Sequence, residues 1–285
     1  MTTVRSILKD CGIRPCKSLG QSFLEDTNVI NKIIAAVNVN DHDIVVEIGA
    51  GLGIMTEILA RQAGRLIAID VDPRMTDILR GRLKDLPHVE IVEKDFLKCD
   101  LSEFLSDCEP SKLKVVGNIP YNISTQILFH LLRFRQHIIS MELMFQKEVV
   151  DRIVASPGTK EYGIPSVIIA MFAIPTREMN VPASCFYPQP KVVSSVLKLV
   201  IREKPLVDLE DEKYFFKIVR MAFSMRRKTI LNNLRSSDLL LSSNQEIATL
   251  LKQAGIESQR RGETLSPEEF GRLSNVLYAA RIAKP

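Results

Sequence analysis

A near-continuous apolar run leads directly into three glycines in the stretch Ile44-Val45-Val46-Glu47-Ile48-Gly49-Ala50-Gly51-Leu52-Gly53. The apolar part has the composition of a buried β-strand, and Ile54, Ile58 and Leu59 then recur at helical spacing. Glycines at such a junction allow a tight turn and let a ligand approach bare backbone at the start of the helix. The stretch therefore predicts a strand, a ligand-binding loop and a helix of an open α/β sheet.

Further apolar runs of strand length alternate with helical patterns after this stretch. They lie at residues 66–69, 89–92, 113–116 and 141–145. Alternating strands and helices imply right-handed crossovers and a parallel sheet that is covered on both faces. We therefore predict an α/β fold with a Rossmann-like, doubly wound, mostly parallel sheet.

The C-terminal part of the chain has a different pattern. Residues 202–212 are polar, contain Pro205 and show little periodicity, and only helical patterns follow them. Ser266, Pro267 and Glu269 have the spacing of a helix start with a capping box. The patterns predict one domain at residues 1–203, which carries the glycine loop, and a small all-helical domain at residues 204–285.

The composition excludes several classes of protein. The chain has 285 residues, 46% of them apolar and 25% charged, without an apolar run of about 18 residues that could span a membrane. Its start lacks a secretory signal pattern, and its five cysteines show no Cys-x-x-Cys spacing. These features predict a cytoplasmic protein with no membrane segment, no disulfide framework and no metal. The net charge is +4, and residues 202–285 hold 15 Lys+Arg against 11 Asp+Glu, which favours a polyanionic partner.

Acidic residues stand at the ends of successive predicted strands. Asp70 closes the second strand 19 residues after Gly51, where a carboxylate can accept hydrogen bonds from both hydroxyls of a ribose. Asp95 follows the third strand, where it can accept a hydrogen bond from an adenine amino group while Phe96 lies against the ring. Asp72 is interpreted as a solvated neighbour. One nucleoside ligand explains this set better than unrelated loop residues do.

The spacing of the glycines indicates the kind of nucleoside. A dinucleotide fingerprint that starts at Gly49 requires Gly or Ala at position 54, where this sequence has Ile54. The G-x-G-x-G pattern, with Glu47 two residues before its first glycine, is that of S-adenosylmethionine-dependent methyltransferases. That ligand has no pyrophosphate to seat on the helix. The loop is therefore interpreted as a cofactor site of this type, and a nicotinamide-dependent oxidoreductase is disfavoured.

The tetrapeptide Asn118-Ile119-Pro120-Tyr121 interrupts the fourth apolar run at its end, where open α/β sheets carry their chemistry. An Asn side chain offers two donors and one acceptor, the Pro fixes the backbone, and the Tyr offers a ring face. None of these groups is a good acid or base. Together they suit a flat nitrogenous base that is held by its exocyclic amine.

These motifs resemble those of the ribosomal RNA adenine dimethyltransferases of bacterial type, and the resemblance covers nearly the whole chain. It rests further on Gly20-Gln21-Ser22-Phe23-Leu24, Gln146-Lys147-Glu148-Val149, Tyr162-Gly163, Phe186-Tyr187-Pro188-Gln189-Pro190-Lys191-Val192 and Arg226-Arg227-Lys228-Thr229. The resemblance implies a class I methyltransferase domain and an RNA-binding, ribosome-contacting helical domain. It implies transfer of methyl groups from S-adenosylmethionine to N6 of two adjacent adenosines in a hairpin loop near the 3′ end of small-subunit (16S) rRNA. The products are N6,N6-dimethyladenosine, made during ribosome biogenesis, and S-adenosylhomocysteine.

The resemblance also implies roles for individual residues. The cofactor is expected to contact Ser22, Leu24, Glu47, Gly49, Gly51, Asp70, Asp95, Phe96 and Asn118. The catalytic set is expected to be Asn118, Pro120, Tyr121 and Phe186, in which the Asn amide oxygen and the carbonyl beside the Pro accept the two N6 hydrogens and both rings stack on the base. The RNA is expected to contact Lys147, Lys191, Arg226, Arg227 and Lys228, the last three in a helical pattern.

Three positions depart from the family pattern. Ser22 stands where the family usually has Asn, Asp70 where it often has Glu, and Val193 where an Asp often follows the Lys-Val pair. A serine hydroxyl lacks the amide group, and an aspartate has a shorter reach than a glutamate. The first two contacts are therefore less securely predicted than those of Gly49 and Asp95.

Two alternatives on the same fold stay open. One is the methyltransferase of large-subunit (23S) rRNA that confers antibiotic resistance, and the other is a ribosome-assembly factor. Gly20 and the segments 160–163 and 226–229 favour the small-subunit enzyme, while intact glycines and Asn118 favour catalysis. The expected partner is a 30S-type ribosomal particle, and the chain is expected to act as a monomer. The four histidines, which lie in no shared motif, are expected to have surface or core roles: His42, His88, His130 and His137.

Overall fold

The computed structural model describes residues 4–105, 112–235 and 244–282. Contacts divide these residues into two compact units. The first contains the residues up to Val150 together with Thr176–Ile201, and the second contains Asp151–Pro175 and the residues from Arg202 onward. Cys108 lies outside the described residues, and the other four cysteines are free thiols.

The first unit is an α/β sheet with helices on both faces, and the second is helical. The strands are β1 (Phe23–Leu24), β2 (Ile44–Ile48), β3 (Arg65–Asp70), β4 (Val89–Glu93), β5 (Leu113–Asn118), β6 (Ile138–Gln146), β7 (Ala173–Val181), β8 (Phe186–Tyr187) and β9 (Ser194–Ile201). The helices are α1 (Val4–Asp10), α2 (Thr27–Val37), α3 (Ile54–Leu59), α4 (Pro73–Leu83), α5 (Ser124–Arg133), α6 (Lys147–Ile153), α7 (Ile164–Phe172), α8 (Glu212–Ala222), α9 (Ile230–Arg235), α10 (Asn244–Gln253) and α11 (Pro267–Ile282).

Seven strands form one sheet in the order β4-β3-β2-β5-β6-β9-β7, and β4 to β6 run parallel along it. On β2, Val46 lies opposite Ile67 of β3 and Val115 of β5, and all three side chains are fully buried. Apolar residues fill both faces of β2 because helices cover both sides of a parallel sheet. The five predicted strands and the mostly parallel sheet are confirmed.

Two pairings were not predicted from the sequence. β9 runs antiparallel to β6, and the short strands β1 and β8 form a separate two-stranded sheet in which Leu24 pairs with Phe186. Both pairings join segments that lie far apart in the chain. Their consequence for the site is that residues near positions 23 and 187 are held beside one another.

The second unit confirms the helical pattern of the C-terminal region. Ser266 Oγ accepts from Glu269 N (3.2 Å), and Glu269 Oε2 accepts from Ser266 N (2.8 Å), which is the predicted capping box at the start of α11. The chain crosses between units close to the predicted boundary at residue 203. The sequence did not indicate that Asp151–Pro175 belong to the second unit, where Phe172 packs against Phe215 with the ring centroids 6.3 Å apart.

Among the described residues, no helix combines the length and the apolar character needed to cross a membrane.

In the first unit, α2 begins at an N-cap, Asp26, whose carboxylate accepts hydrogen bonds from Asn28 N and Val29 N. This cap places the start of α2 directly after β1 and next to the site described below.

Candidate active site

The glycine loop between β2 and α3 has the conformation that its sequence predicts. Gly49, Gly51 and Gly53 have φ values of 71°, 56° and 80°, in the left-handed region that favours glycine. A Cβ atom on Gly51 would lie 3.1 Å from the ring of Phe23, and one on Gly53 would lie 2.5 Å from Leu79 Cδ2. The loop therefore requires glycine both for its backbone angles and for the space beside it.

Asp70 ties this loop to the end of β3. Its Oδ2 atom accepts a hydrogen bond from Gly51 N (2.8 Å), and its Oδ1 atom accepts from Asp72 N (2.9 Å). Burial raises the pKa of Asp70, and the hydrogen bonds from backbone N–H groups act in the opposite direction. Each carboxylate oxygen has a second acceptor position, so the carboxylate can still accept from two ligand hydroxyls.

An open cavity, about 790 Å³ when the open solvent at its entrance is included, lies at the carboxyl ends of β2, β3, β4 and β5; we call it the outer cavity. It lies where ligands bind in open α/β sheets. The predicted site residues that line it are Ser22, Gly49, Gly51, Asp70, Asp95, Phe96, Asn118, Pro120 and Tyr121. The fold thus brings nine of the predicted site residues together around one cavity.

Asp95 and Phe96 form one wall of the outer cavity. Asp95 is half-buried and caps a short 3-10 turn through Oδ1, which accepts from Leu97 N at 3.1 Å. The Phe96 ring meets the imidazole of His130 edge to face, with the ring centroids 5.5 Å apart. This contact fixes the orientation of the Phe96 ring at the wall of the cavity.

The orientation of the Asn118 amide follows from its partner. Asn118 Nδ2 donates to the backbone carbonyl of Ser22 (2.8 Å), and a carbonyl can only accept. The amide nitrogen is thus bonded to Ser22, the residue before β1, and Oδ1 is the atom left to accept a hydrogen bond. The carbonyl of Pro120 accepts a hydrogen bond from Ile123 N (3.2 Å). The carbonyl of Ile119, on the other side of the proline ring, is therefore the better candidate to accept a hydrogen bond from a ligand.

Tyr121 is half-buried and lies at the mouth of the outer cavity. Its hydroxyl shares a 2.5 Å hydrogen bond with the Ser194 hydroxyl at the start of β9. Burial is the main cause of a raised pKa of Tyr121, which keeps the phenol neutral near pH 7. Sequence reasoning missed Ser194, because nothing in its local pattern distinguishes it from Ser195.

The other three predicted residues are placed elsewhere. Leu24 and Glu47 line a second, adjoining cavity, which we call the inner cavity and which shares Gly49 and Asn118 with the outer one. Burial raises the pKa of Glu47 to about 8. Phe186 is only 1% exposed and packs in the apolar core, so in this conformation its ring does not form a face of the outer cavity as the sequence predicted. β8 pairing with β1 holds it there.

A network that the sequence did not reveal holds the segment before β1. Gln21 Nε2 donates to Asp72 Oδ2 (2.8 Å), and Gln21 Oε1 accepts from Cys16 N (2.7 Å). The same aspartate accepts from Arg74 Nη2 (2.6 Å) and Nε (2.9 Å), which lowers the pKa of Asp72. Asp72 is 3% exposed, so the interpretation of it as a solvated neighbour is wrong. These hydrogen bonds hold in place the part of the outer cavity wall to which Gln21 contributes.

The predicted RNA-binding residues fall in both units. In the first unit, Lys191 is exposed, and Lys147 donates its backbone N–H to the Val193 carbonyl (2.9 Å). In the second unit, residues 226–228 lie in a turn between α8 and α9, so the prediction of a helix there is wrong. Ser224 and Thr229, at the edges of this turn, favour local side-chain hydrogen bonds over a continued helix.

Arg226 organises this turn. Its Nη2 atom donates to Glu263 Oε2 (3.0 Å) and to the Lys160 carbonyl (2.8 Å). Arg227 and Lys228 are exposed beside it. Of the three basic side chains, Arg226 therefore has a clear structural contact, while the next two project from a turn that it fixes.

The histidines take structural or surface positions. His130 shares a hydrogen bond with the Cys99 carbonyl (2.9 Å), His88 with the Ala60 carbonyl (2.7 Å), and His42 is exposed beside Asp41. Within the ranges that the structure describes, no group of three or more His, Cys, Asp or Glu side chains is arranged to hold a metal ion.

Comparison with known protein families shows the family of this chain. The family model described as Ribosomal RNA adenine dimethylase matches residues 14–279. The chain belongs to this family. Membership confirms the predicted enzyme class, an rRNA adenine dimethyltransferase among the S-adenosylmethionine-dependent methyltransferases.

Curated relatives of this dimethylase are named Ribosomal RNA small subunit methyltransferase A. The relative from Syntrophus aciditrophicus (strain SB) is 42% identical over 277 residues, which cover 97% of this chain and 99% of that protein. The relative from Geobacter metallireducens is 47% identical over 268 residues, which cover 94% and 97%.

Solved structures agree with the fold of the dimethylase. A dimethyladenosine transferase from Plasmodium falciparum matches with a TM-score of 0.75 and 27% identity, over 88% of this chain and 95% of that one. The 23S rRNA methyltransferase ErmE matches with a TM-score of 0.68 and 25% identity, over 90% and 99%. The fold is therefore shared with a dimethyladenosine transferase and with a 23S rRNA methyltransferase.

Proposed function

We propose that this dimethylase transfers methyl groups from S-adenosylmethionine to N6 of two adjacent adenosines near the 3′ end of small-subunit rRNA. The observation that carries the proposal is the committed orientation of Asn118, whose Nδ2 donates to Ser22 O and leaves Oδ1 toward the site. A hydrogen-bond acceptor at Asn118 Oδ1 can orient the N6 amine of the target adenosine without removing a proton from it. We propose that the enzyme acts as a monomer in the cytoplasm.

The residues of the outer cavity fit the proposed cofactor. Asp70 would accept from the ribose hydroxyls, Asp95 would accept from the adenine amino group, and Phe96 would lie against the adenine ring. Gly49 and Gly51 leave bare backbone beside these groups, and Ser22 and Asn118 lie toward the base side. Leu24 and Glu47 would adjoin the cofactor from the inner cavity. The cofactor supplies an activated methyl group on a sulfonium.

The chemistry required of the protein is mainly positioning. An adenine amine is a weak nucleophile because its lone pair is delocalised into the ring. For the first transfer, Asn118 Oδ1 and the Ile119 carbonyl would accept the two amine hydrogens and turn the lone pair toward the methyl carbon, and correct alignment alone lowers a barrier substantially. The new nitrogen–carbon bond would replace the sulfur–methyl bond, S-adenosylhomocysteine would leave, and the alkylated amine would lose one proton to solvent. For the second transfer, one of the two acceptors would hold the single hydrogen that remains. Tyr121 would stack on the base, a contact worth roughly 1–3 kcal/mol per base. For Phe186 to add a second face, the segment β8 would have to move from its place in the core.

The RNA backbone would be held by exposed basic side chains. We propose that Arg227 and Lys228 contact phosphates and that Arg226 fixes their turn through Glu263, with Lys191 and Lys147 as further contacts on the first unit. Reversing the charges of Arg227 and Lys228 together should reduce the slope of log affinity against log salt by about 1–2. Lys213→Glu, an exposed residue on α8, is the matched control. An unchanged slope in the double variant would remove the turn from the interface.

A second candidate is methylation of large-subunit rRNA, because the ErmE structure shares the fold over 90% of this chain. The small-subunit assignment is favoured by relatives at 42% and 47% identity whose names specify the small subunit. The deciding experiment offers labelled S-adenosylmethionine and either unmethylated small or unmethylated large ribosomal particles. We expect label in dimethyladenosine of small-subunit RNA with about two modified bases per particle. Label only in large-subunit RNA would overturn the assignment.

A further inference from the structure

We propose that Ser194 is a positioning residue of this dimethylase, whose hydroxyl holds the ring of Tyr121 in the plane on which the target adenine stacks. The inference rests on the proposed function, in which Tyr121 contacts the base. The two hydroxyl oxygens lie 2.5 Å apart, although 73 residues separate them in the chain. This bond is the link between the tip of the tyrosine and the rigid sheet.

The position of Ser194 is fixed independently of Tyr121. It is fully buried, opens β9, and lies opposite Gln146 at the end of β6. The Val193 carbonyl just before it accepts from Lys147 N at 2.9 Å. The Ser194 hydroxyl therefore has little freedom to move, and it can restrict the motion of the Tyr121 ring to which it is bonded.

The neighbouring serine provides an internal comparison. Ser195 is also fully buried, but successive side chains of a strand point to opposite faces of the sheet. Its one hydroxyl proton is shared between Met179 O (3.0 Å) and Asn180 Oδ1 (2.9 Å), and neither residue lines the outer cavity. Of these two adjacent serines, only Ser194 bonds a residue of the site.

A ring that is tethered at both ends is preorganised for stacking. At its backbone end, Tyr121 follows Pro120, and its carbonyl accepts from Ser124 Oγ (3.2 Å). At its far end, the phenol is held by Ser194. Rotation about the two side-chain torsions would otherwise tilt the ring, and ordering it before the base arrives removes an entropic cost from binding. A tilted ring would misplace the amine relative to the methyl group.

The test removes the bond from each end and from both ends together. The variants Ser194→Ala, Tyr121→Phe and the double variant are assayed for kcat at saturating S-adenosylmethionine with unmethylated small-subunit particles. Each single variant should lower kcat roughly 3- to 10-fold, the range expected for one lost hydrogen bond. The double variant should be no slower than either single variant, because the same bond is absent in all three.

Controls separate positioning from folding. Ser195→Ala loses a comparable buried hydroxyl and should lower the melting temperature about as much as Ser194→Ala while leaving kcat near that of the unmodified enzyme. The dissociation constant for S-adenosylmethionine should be unchanged in both. Equal kcat values for the two alanine variants, or effects of Ser194→Ala and Tyr121→Phe that multiply in the double variant, would overturn the proposal.

One further variant distinguishes this proposal from the one on which it rests. Tyr121→Ala should abolish most activity if the ring stacks on the base. Full activity of Tyr121→Ala would refute the stacking role itself. Loss of activity in Tyr121→Ala, together with unimpaired Ser194→Ala and Tyr121→Phe, would retain the stacking role and refute only the role of the hydrogen bond.

Discussion

On the cofactor side of the outer cavity, formed by Gly51, Asp70 and Asp95, hydrogen bonds join residues at most 19 positions apart. On the base side, formed by Asn118 and Tyr121, each side chain is bonded to a remote segment. Asp70 accepts from Asp72 N, two residues away, and Asp95 accepts from Leu97 N, also two residues away. Asn118 and Tyr121, by contrast, are bonded to partners 96 and 73 residues away. The cofactor side is thus built within neighbouring strands and their loops, and the base side depends on the completed fold.

This difference has a functional consequence. A site that is assembled locally tolerates small shifts of the rest of the sheet, because its donors and acceptors move together. A site that is assembled from remote segments is exact only when all of them are packed, and a shift of about 1 Å is expensive for catalysis. Variants on the base side should therefore affect turnover, and variants on the cofactor side should affect cofactor affinity.

The largest effect is expected from Asn118→Ala, which removes both the acceptor Oδ1 and the donor to the Ser22 carbonyl. Turnover at saturating cofactor should fall by about 100-fold or more, comparable to the loss of one fixed polar group from other active sites. Methylation of small-subunit particles measures this. The exposed Asn122, four positions after the end of β5, provides the control Asn122→Ala. Near-normal turnover in Asn118→Ala would contradict the aiming role of the amide.

A large effect on cofactor affinity is expected from Gly51→Val. The residue has a φ of 56°, and a Cβ atom there would lie 3.1 Å from the Phe23 ring. A side chain there should push the free loop out of its left-handed conformation, and restoring that conformation on binding should cost roughly 1–2 kcal/mol, which is about a 10-fold loss of cofactor affinity. Titration calorimetry measures the affinity, and Gly81→Val, where a Cβ meets nothing within 4 Å, is the comparison. Unchanged affinity would mean that the loop does not hold the cofactor.

An intermediate effect is expected from Gln21→Leu, because Gln21 joins the two sides of the cavity. The change removes the bonds to Asp72 Oδ2 and Cys16 N but keeps the size of the side chain. The KM for S-adenosylmethionine should rise roughly 3- to 10-fold, the effect of one hydrogen bond to a charged group at a half-buried position. Gln62→Leu, at an exposed position, should leave KM unaltered. If KM is unaltered in Gln21→Leu as well, the segment does not depend on this network.

A change in the pH dependence of stability is expected from Glu47→Gln. Burial raises the pKa of Glu47 from 4.5 to about 8, so within this range of pH the folded protein keeps a proton that the unfolded chain has lost. The contribution of Glu47 to the free energy of unfolding is thus greatest below pH 4.5 and is lost as the pH rises toward about 8. The melting temperature of Glu47→Gln should therefore fall less with rising pH than that of the unmodified protein.

The exposed residue Glu90 on β4, which pairs with Arg65, supplies the control for this measurement. Glu90→Gln should keep the pH dependence of the unmodified protein. Parallel curves for Glu47→Gln and the unmodified protein would show that Glu47 does not carry a proton in the folded state.

Sequence patterns predicted most of the cofactor side, because its elements are local. The strand β2, the glycines and Asp70 occur in an order and at spacings that already imply one loop at one sheet edge. They did not predict that Asp72 is buried, since its partners Gln21 and Arg74 are polar residues of ordinary appearance. On the base side the motif around Asn118 was recognisable, but its partners were not.

Local patterns in the chain were enough to predict the alternation of strands and helices, the glycine loop, and the residue types at the strand ends, because periodicity and spacing act within a few residues. The same motifs indicated the dimethylase family. The folded chain was needed to show that Asn118 donates to Ser22, that Tyr121 is held by Ser194, and that Phe186 lies in the core. Contacts between distant segments depend on packing and on the pairing of β1 with β8, which no local pattern records.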